Sequence, residues 1–179
     1  MALRTVGHGT LAAQALADLL TDAGIAAVVD VRRFPGSRRH PHFNTDDMQR
    51  WLPAAGVAYR WEERLGGRRR RVAGSRNRGL RDPGFQGYAD HMAEPEFWEA
   101  LGDVVRQAQE RPTAILCSES VWWRCHRRLI ADAAVLVLGV EVTHLLHDGR
   151  LVVHPVTDVA RRAGDMVVYD RLVQGELSL

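Results

Sequence analysis

TAILCSESVWWRCHRRLIADAAVLVLG, residues 113–139, decides how this chain is read. Ala114-Ile115-Leu116 is an apolar run of the length of a buried strand. It ends at Cys117-Ser118-Glu119, passes through a short polar turn, and restarts at Cys125-His126-Arg127-Arg128 as an apolar helix running to Leu138. Reactive residue types therefore stand at a strand's carboxyl end and at the amino end of the next helix. In an open α/β sheet that crevice is where ligands bind. Both cysteines of the chain lie here, with Glu119 between them.

Working outward, the same strand-then-helix rhythm repeats. Leu3 to Val6 reads as a strand that ends in Gly7-His8-Gly9-Thr10, with Thr10 placed to cap a helix carrying Leu11, Leu16, Leu19 and Leu20. Gly24 closes that helix, and Ile25 to Val29 is a second apolar strand ending in Asp30-Val31-Arg32. Pro35, Gly36 and Pro41 make 33–44 a loop; Thr45 caps a second helix, and Val57 to Tyr59 is a third strand. Phe85 to Tyr88 begins a short helix, Phe97 to Gln109 is amphipathic, and Val140 to His144 follows the central helix as a strand, with a further short one at Leu151 to His154. Alternating strands and helices predict one α/β domain over 1–179: a mostly parallel sheet of about five strands with helices on both faces. In such a sheet His8, Asp30 with Arg32, Glu119 and His144 all fall at carboxyl ends of strands. Two segments fit neither period: an arginine-rich loop, 61–84, and a tail, 157–179.

The chain of 179 residues is long enough to bury a core without staples. Two cysteines beside charged residues do not make a disulfide framework. No apolar run reaches the roughly 20 residues of a membrane span, so no membrane partner is expected. The opening MALRTVGHGT enters a strand without a basic-then-apolar leader, and a cytoplasmic protein is expected. Net charge is only +2, yet nine arginines against two glutamates lie between Arg60 and Arg81, and Arg32, Arg33, Arg38 and Arg39 form a second cluster. Such patches favour phosphates or nucleic acid. The bland reading is that a chain without lysine puts arginine on every basic surface.

The blocks TVGHGT, VVDVRRFPGSRRHPHFN, GVAYRWEERLGG, GFQGYADHM, LCSE, CHRRLIA and EVTHL, in this order over about residues 3–146, resemble the bacterial and archaeal domain of unknown function 488. The resemblance implies an α/β domain with these blocks gathered in one place. That family usually has a serine where Gly9 stands, which passes any hydroxyl role to Thr10. It implies no established reaction.

The residues themselves leave several chemistries open. Glu119 is the candidate general base or electrostatic stabiliser, with pairing to Arg124 or Arg127 as the structural alternative. Cys125, beside His126 and Arg127, stands where a thiol pKa is lowered and a thiolate becomes a nucleophile. Cys117 reads as core. His8 and Asp30 are further candidate catalytic residues, although Asp30 and Arg32 could simply pair. Cys117, Cys125, His126 and His8 could assemble a metal site, but their spacing is not that of a zinc ribbon or finger, and the expectation is no metal and no cofactor. Arg32 with Arg38 or Arg39 could clamp an anion. Candidate binding residues are then Arg32, Arg38, Arg39, His42, Tyr88, Trp122, Trp123, Arg127 and His144, the aromatics stacking a base. Together these point to an enzyme acting on nucleic acid or a nucleotide, at a base or its glycosidic bond, with Glu119 as the catalytic carboxylate. Two alternatives stand beside it: a small-molecule enzyme using Cys125 as nucleophile or redox group, and a non-catalytic nucleic-acid-binding module. Oligomeric state is not legible in the sequence.

Overall fold

A computed structural model of the chain describes residues 2–170. The strands are β1 (Leu3–Gly7), β2 (Ala27–Asp30), β3 (Ala58–Trp61), β4 (Thr113–Cys117), β5 (Val142–Leu145) and β6 (Leu151–Val153), and they form one sheet in the order β3-β2-β4-β1-β5-β6. All neighbours are parallel except β6, which returns antiparallel beside β5. The sixth is the short strand expected at Leu151 to His154.

Five helices cover it: α1 (Ala13–Asp22), α2 (Thr45–Ala54), α3 (Pro83–His91), α4 (Pro95–Glu110) and α5 (Arg127–Leu136). Side chains alternate along each strand, and this sorts the core into two. Val6, Val28, Ala114 and Leu116 face Leu16 and Leu20 of α1 and Met48 and Leu52 of α2. Leu3, Val29, Ile115 and Cys117 face Leu101 and Val104 of α4 and Leu129 and Ile130 of α5. Fully burying one such aliphatic side chain contributes about 1.5–3 kcal/mol, and this two-sided burial is why β2 and β4 read as continuous apolar runs.

Local caps differ from the expectation. Ala12, not Thr10, is the residue before α1, and Asn44, not Thr45, precedes α2; neither makes a side-chain cap. The Asn44 side chain instead accepts from the Ser37 amide at 2.6 Å, so it shapes the preceding loop. Asp82 does cap α3, accepting from the Phe85 amide at 3.0 Å ahead of Pro83. Gly24 ends α1 in the left-handed region at φ 66°, as expected.

The two segments without a period are built rather than loose. Of the 157–179 tail, 171–179 lie outside the described residues, but β7 (Ala160–Ala163) and β8 (Met166–Tyr169) form an antiparallel hairpin. Val159, Ala160, Val167 and Tyr169 are buried in the same core as α5. The 61–84 loop is tied down by two polar residues. Asp90 accepts from the Val72 amide (2.9 Å), Ser75 Oγ (2.6 Å) and Asn77 Nδ2 (2.9 Å). Asn77 Oδ1 accepts from the Tyr169 amide at 3.1 Å, and the Gly79 amide donates to the Tyr169 carbonyl at 2.7 Å. Part of the arginine excess is structural too: Arg60 and Arg64 both pair with Glu62, and Arg64 reaches Asp103. No helix of the described residues is long and apolar enough to cross a membrane.

Candidate functional site

β1 and β4 are neighbours at the middle of the sheet, yet the chain leaves them in opposite directions. From β1 it passes to α1 on one face, and from β4 it passes to α5 on the other. Divergence of the two loops opens a crevice over the carboxyl edge, the switch point of a doubly wound sheet. A cavity of about 1100 Å³ lies there, walled by the loops after β1, β2, β4 and β5 and by both ends of the arginine-rich loop. It collects His8, Arg32, Arg39, Tyr88, Glu119, Trp123 and Cys125 from the expected set.

His8, Asp30 and Arg32 form one buried unit. Arg32 Nε donates to Asp30 Oδ1 at 2.9 Å and its NH2 to Oδ2 at 2.5 Å, while Tyr59 OH donates to Oδ2 at 2.8 Å. The remaining arginine donors go to the Phe43 carbonyl (2.7 Å) and to His8 Nε2 (3.2 Å). His8 Nδ1 lies 2.9 Å from the Gly9 carbonyl, which can only accept, so Nδ1 carries the proton and Nε2 receives the arginine. Burial and the Arg32 charge push the His8 pKa down to about 3. Both ring nitrogens are therefore spoken for, and the unit positions the loops after β1 and β2 rather than offering a base. Asp30 does not reach the cavity; it is the arginine's counter-ion.

On the cavity floor sit Cys117 at the end of β4 and Cys125 and His126 just before α5. His126 Nδ1 is 3.8 Å from Cys117 Sγ and 3.7 Å from Cys125 Sγ. His126 Nε2 lies 3.0 Å from the Val31 carbonyl and so holds the ring proton, which turns the Nδ1 lone pair toward both sulfurs. Behind them Arg127 is 1% exposed and, among the described residues, has no carboxylate partner; its donors go to Cys125 Sγ (Nε, 3.3 Å) and to the Glu119 carbonyl. A buried guanidinium favours negative charge beside it, and Cys125 Sγ is the side-chain acceptor it touches. Burial opposes ionisation of Cys125, but the hydrogen bond from Cys117 and the Arg127 charge outweigh it and lower its pKa. Cys117 moves the other way, raised by its hydrogen bond to Cys125 and by burial. Among the described residues this is the one group of three side chains whose metal-ligating atoms all lie within 4.8 Å of one another.

The tight floor depends on Gly7, where an added Cβ would lie 1.8 Å from the Glu119 carbonyl oxygen. Glu119 itself is exposed at the rim, its carboxylate reached among the described residues by the Val121 amide alone, at 3.5 Å. Arg33, Phe34, Arg68, Arg124 and His147 also line the cavity and were not singled out as site residues from sequence. His147 Nε2 donates to the Gly7 carbonyl at 2.6 Å. The one available signal for it was its place just past the end of β5. Among the described residues no carboxylate pairs with Arg33, Arg39, Arg68 or Arg124. Phe34 and Trp123, 62% and 49% exposed, stand at the mouth, Phe34 beneath the Arg33 guanidinium (5.3 Å to the ring centroid) and Trp123 edge-on to Trp122.

Other expected residues lie elsewhere. Arg38 is exposed outside the cavity lining, and His42 bonds the Leu11 carbonyl and packs on Phe43. Trp122 stacks flat on His144 at 4.1 Å. His144 belongs to a buried chain that sequence reading missed: Thr5 Oγ1 to His144 Nδ1 at 2.7 Å, His144 Nε2 to His154 Nδ1 at 3.0 Å, and His154 Nε2 to Asp132 Oδ1 at 3.0 Å. Asp132 also accepts from the Thr157 amide and hydroxyl (2.8 Å each) and from Tyr169 OH (3.0 Å). That chain locks α5, β5 and the C-terminal hairpin to one another. Burial, His154 and Arg127 push the His144 pKa down to about 3.

Fold and site together define a doubly wound α/β domain with a dithiol–imidazole cluster at its switch point. The model of the domain of unknown function DUF488 matches residues 12–134, which carry β2 to β4, most of α5 and the cluster, and the chain belongs to that family. No curated protein and no solved structure matches the chain.

Proposed function

We propose that the protein is an enzyme acting on a nucleotide or the end of a nucleic acid, with the Cys117–Cys125–His126 cluster as its reacting centre. The observation that carries this is the composition of one cavity. Sulfurs and an imidazole form its floor, arginines with no carboxylate partner among the described residues its walls, and exposed aromatic rings its mouth. Guanidinium groups suit phosphate oxygens, and a base stacking on Phe34 or Trp123 contributes about 1–3 kcal/mol. The volume holds a mononucleotide with room to spare. Cleavage at a base or its glycosidic bond by Glu119 is the second reading, favoured by the position of that carboxylate on the same cavity.

Titration of the protein with mononucleotides and short single strands, followed by tryptophan fluorescence whose response a Trp123→Phe variant should lose, tests the binding step. Binding that weakens with salt is expected, with Arg124→Ala and Arg39→Ala each lowering affinity about 10-fold or more, as for a lost charged hydrogen bond. Absence of binding at low salt for every nucleotide and strand refutes it. Once a substrate is in hand, Glu119→Gln and Cys125→Ser separate the two chemistries, since each removes one and spares the other.

A further inference from the structure

The geometry points to a metal site: Cys117 Sγ, Cys125 Sγ and His126 Nδ1 are three ligands of a zinc ion whose fourth position opens into the cavity. This stands on the shape of the cluster and not on the choice of substrate. Zinc takes thiolate sulfur at about 2.3 Å and imidazole nitrogen at about 2.0 Å, so a tetrahedral site sets sulfur and nitrogen about 3.6 Å apart. The two observed separations are 3.8 and 3.7 Å, and all three atoms lie within 4.8 Å of one another. The two sulfur–nitrogen pairs therefore need shifts of only a few tenths of an ångström to close onto an ion.

The second observation is the state of the imidazole. Nε2 donates to the Val31 carbonyl at 3.0 Å, the outer-shell bond that metal-bound histidines make, and it leaves Nδ1 bare and aimed at both sulfurs. Sulfur ligands with one imidazole select zinc over magnesium or calcium. Arg127 Nε on Cys125 Sγ at 3.3 Å supplies an outer-shell donor to one thiolate. Three protein ligands with a fourth position facing a cavity is the pattern of a catalytic zinc, not of a closed structural one. There the ion would bind water or a substrate atom as a Lewis acid.

Metal binding is read without any activity assay. Full-length protein, purified without a histidine tag and kept reduced, is analysed for metal, then stripped and titrated with zinc or cobalt alone. One equivalent of zinc is expected to protect both thiols from a disulfide reagent. One equivalent of cobalt should give the strong visible absorption of a tetrahedral site with sulfur-to-cobalt charge transfer, and magnesium should do neither. Cys125→Ser and His126→Ala, checked for native circular dichroism, should each weaken zinc binding by more than about 100-fold, the upper end of what outer-shell changes cost. Thiols equally reactive with and without zinc in the wild-type chain, together with only the pale spectrum of octahedral cobalt, would overturn the site whether or not the variants fold. Nucleotide binding is scored separately, so either proposal can fail alone.

Discussion

Replacing Asp132 probes the buried chain that ties the two ends of the fold together. Asp132 is fully buried and takes four donors: His154 Nε2, the Thr157 amide and hydroxyl, and Tyr169 OH. In Asp132→Ala all four lose their acceptor. Thr157 is half-buried and its donors regain water, whereas His154 and Tyr169 do not. Two deeply buried orphans at about 1–3 kcal/mol each, with the cavity left by the carboxyl, give an expected loss of about 3–5 kcal/mol. That is a large share of the roughly 5–15 kcal/mol a domain possesses. Asp132→Asn keeps one oxygen for His154 and the Thr157 amide. Its new amide protons face two hydroxyls that can turn to accept, so it should lose only about 1–2 kcal/mol. Urea unfolding at pH 7, with thiols reduced and metal held constant, reads both as shifts in midpoint at unchanged slope. A loss below about 1 kcal/mol for Ala, or equal losses for Ala and Asn, refutes the reasoning that unmet donors dominate.

Other expectations follow from single contacts. His8 and His144 are each held at about 3 against 6.5 in the unfolded chain, so the unfolded state takes up their protons first. Their contribution is whole above pH 6.5 and drains away as pH falls toward 3, by up to about 1.4 kcal/mol per pH unit for each. His144→Gln should flatten the acid slope of unfolding free energy by one such share, and an unchanged slope would count against it. Gly7→Ala must drive back the Glu119 carbonyl, so a loss of about 2–3 kcal/mol in thermal or urea unfolding is expected. Gly102→Ala, inside α4 with nothing within 4 Å of the new methyl, should instead stabilise by up to about 1 kcal/mol. Gly67→Ala would set a methyl 2.8 Å from His126 Nδ1, and weaker zinc protection of the thiols at nearly native fold is expected.

The sheet was readable because its strands are buried on both faces. Val28-Val29 and Ala114-Ile115-Leu116 are plain apolar runs, and of the strand-end residues named from sequence His8, Asp30, Arg32 and Glu119 lie along one edge, whereas His144 sits inside β5 opposite Thr5. Periodicity could not reveal β7, because Ala160-Arg161-Arg162-Ala163 is polar at its centre and becomes a strand only by pairing with β8. The cluster was half-legible. Cys125 beside His126 was visible, but a helical reading turned the two away from each other. In fact both precede α5, in an irregular backbone that lets sulfur and imidazole converge with Cys117. Arg124 and His147 were lost among many similar residues, since nothing local marks which arginine keeps a partner. The Asp132–His154–His144–Thr5 chain joins residues up to 139 positions apart, and no short-range pattern encodes it.

The hairpin's grip on the arginine-rich loop has a consequence for the order in which the molecule is completed. Asn77 and Gly79 are held by the backbone of Tyr169, 92 residues away from Asn77 along the chain. During synthesis the sheet from β1 to β5 can assemble as it emerges. The middle of the arginine-rich loop, already held by Asp90, gains its second tie only when Tyr169 has been made. Full order in that loop should therefore arrive as the last event of folding, after the sheet is already formed. A nascent chain halted before Tyr169 would hold its sulfur cluster beside a loop with one of its two ties missing.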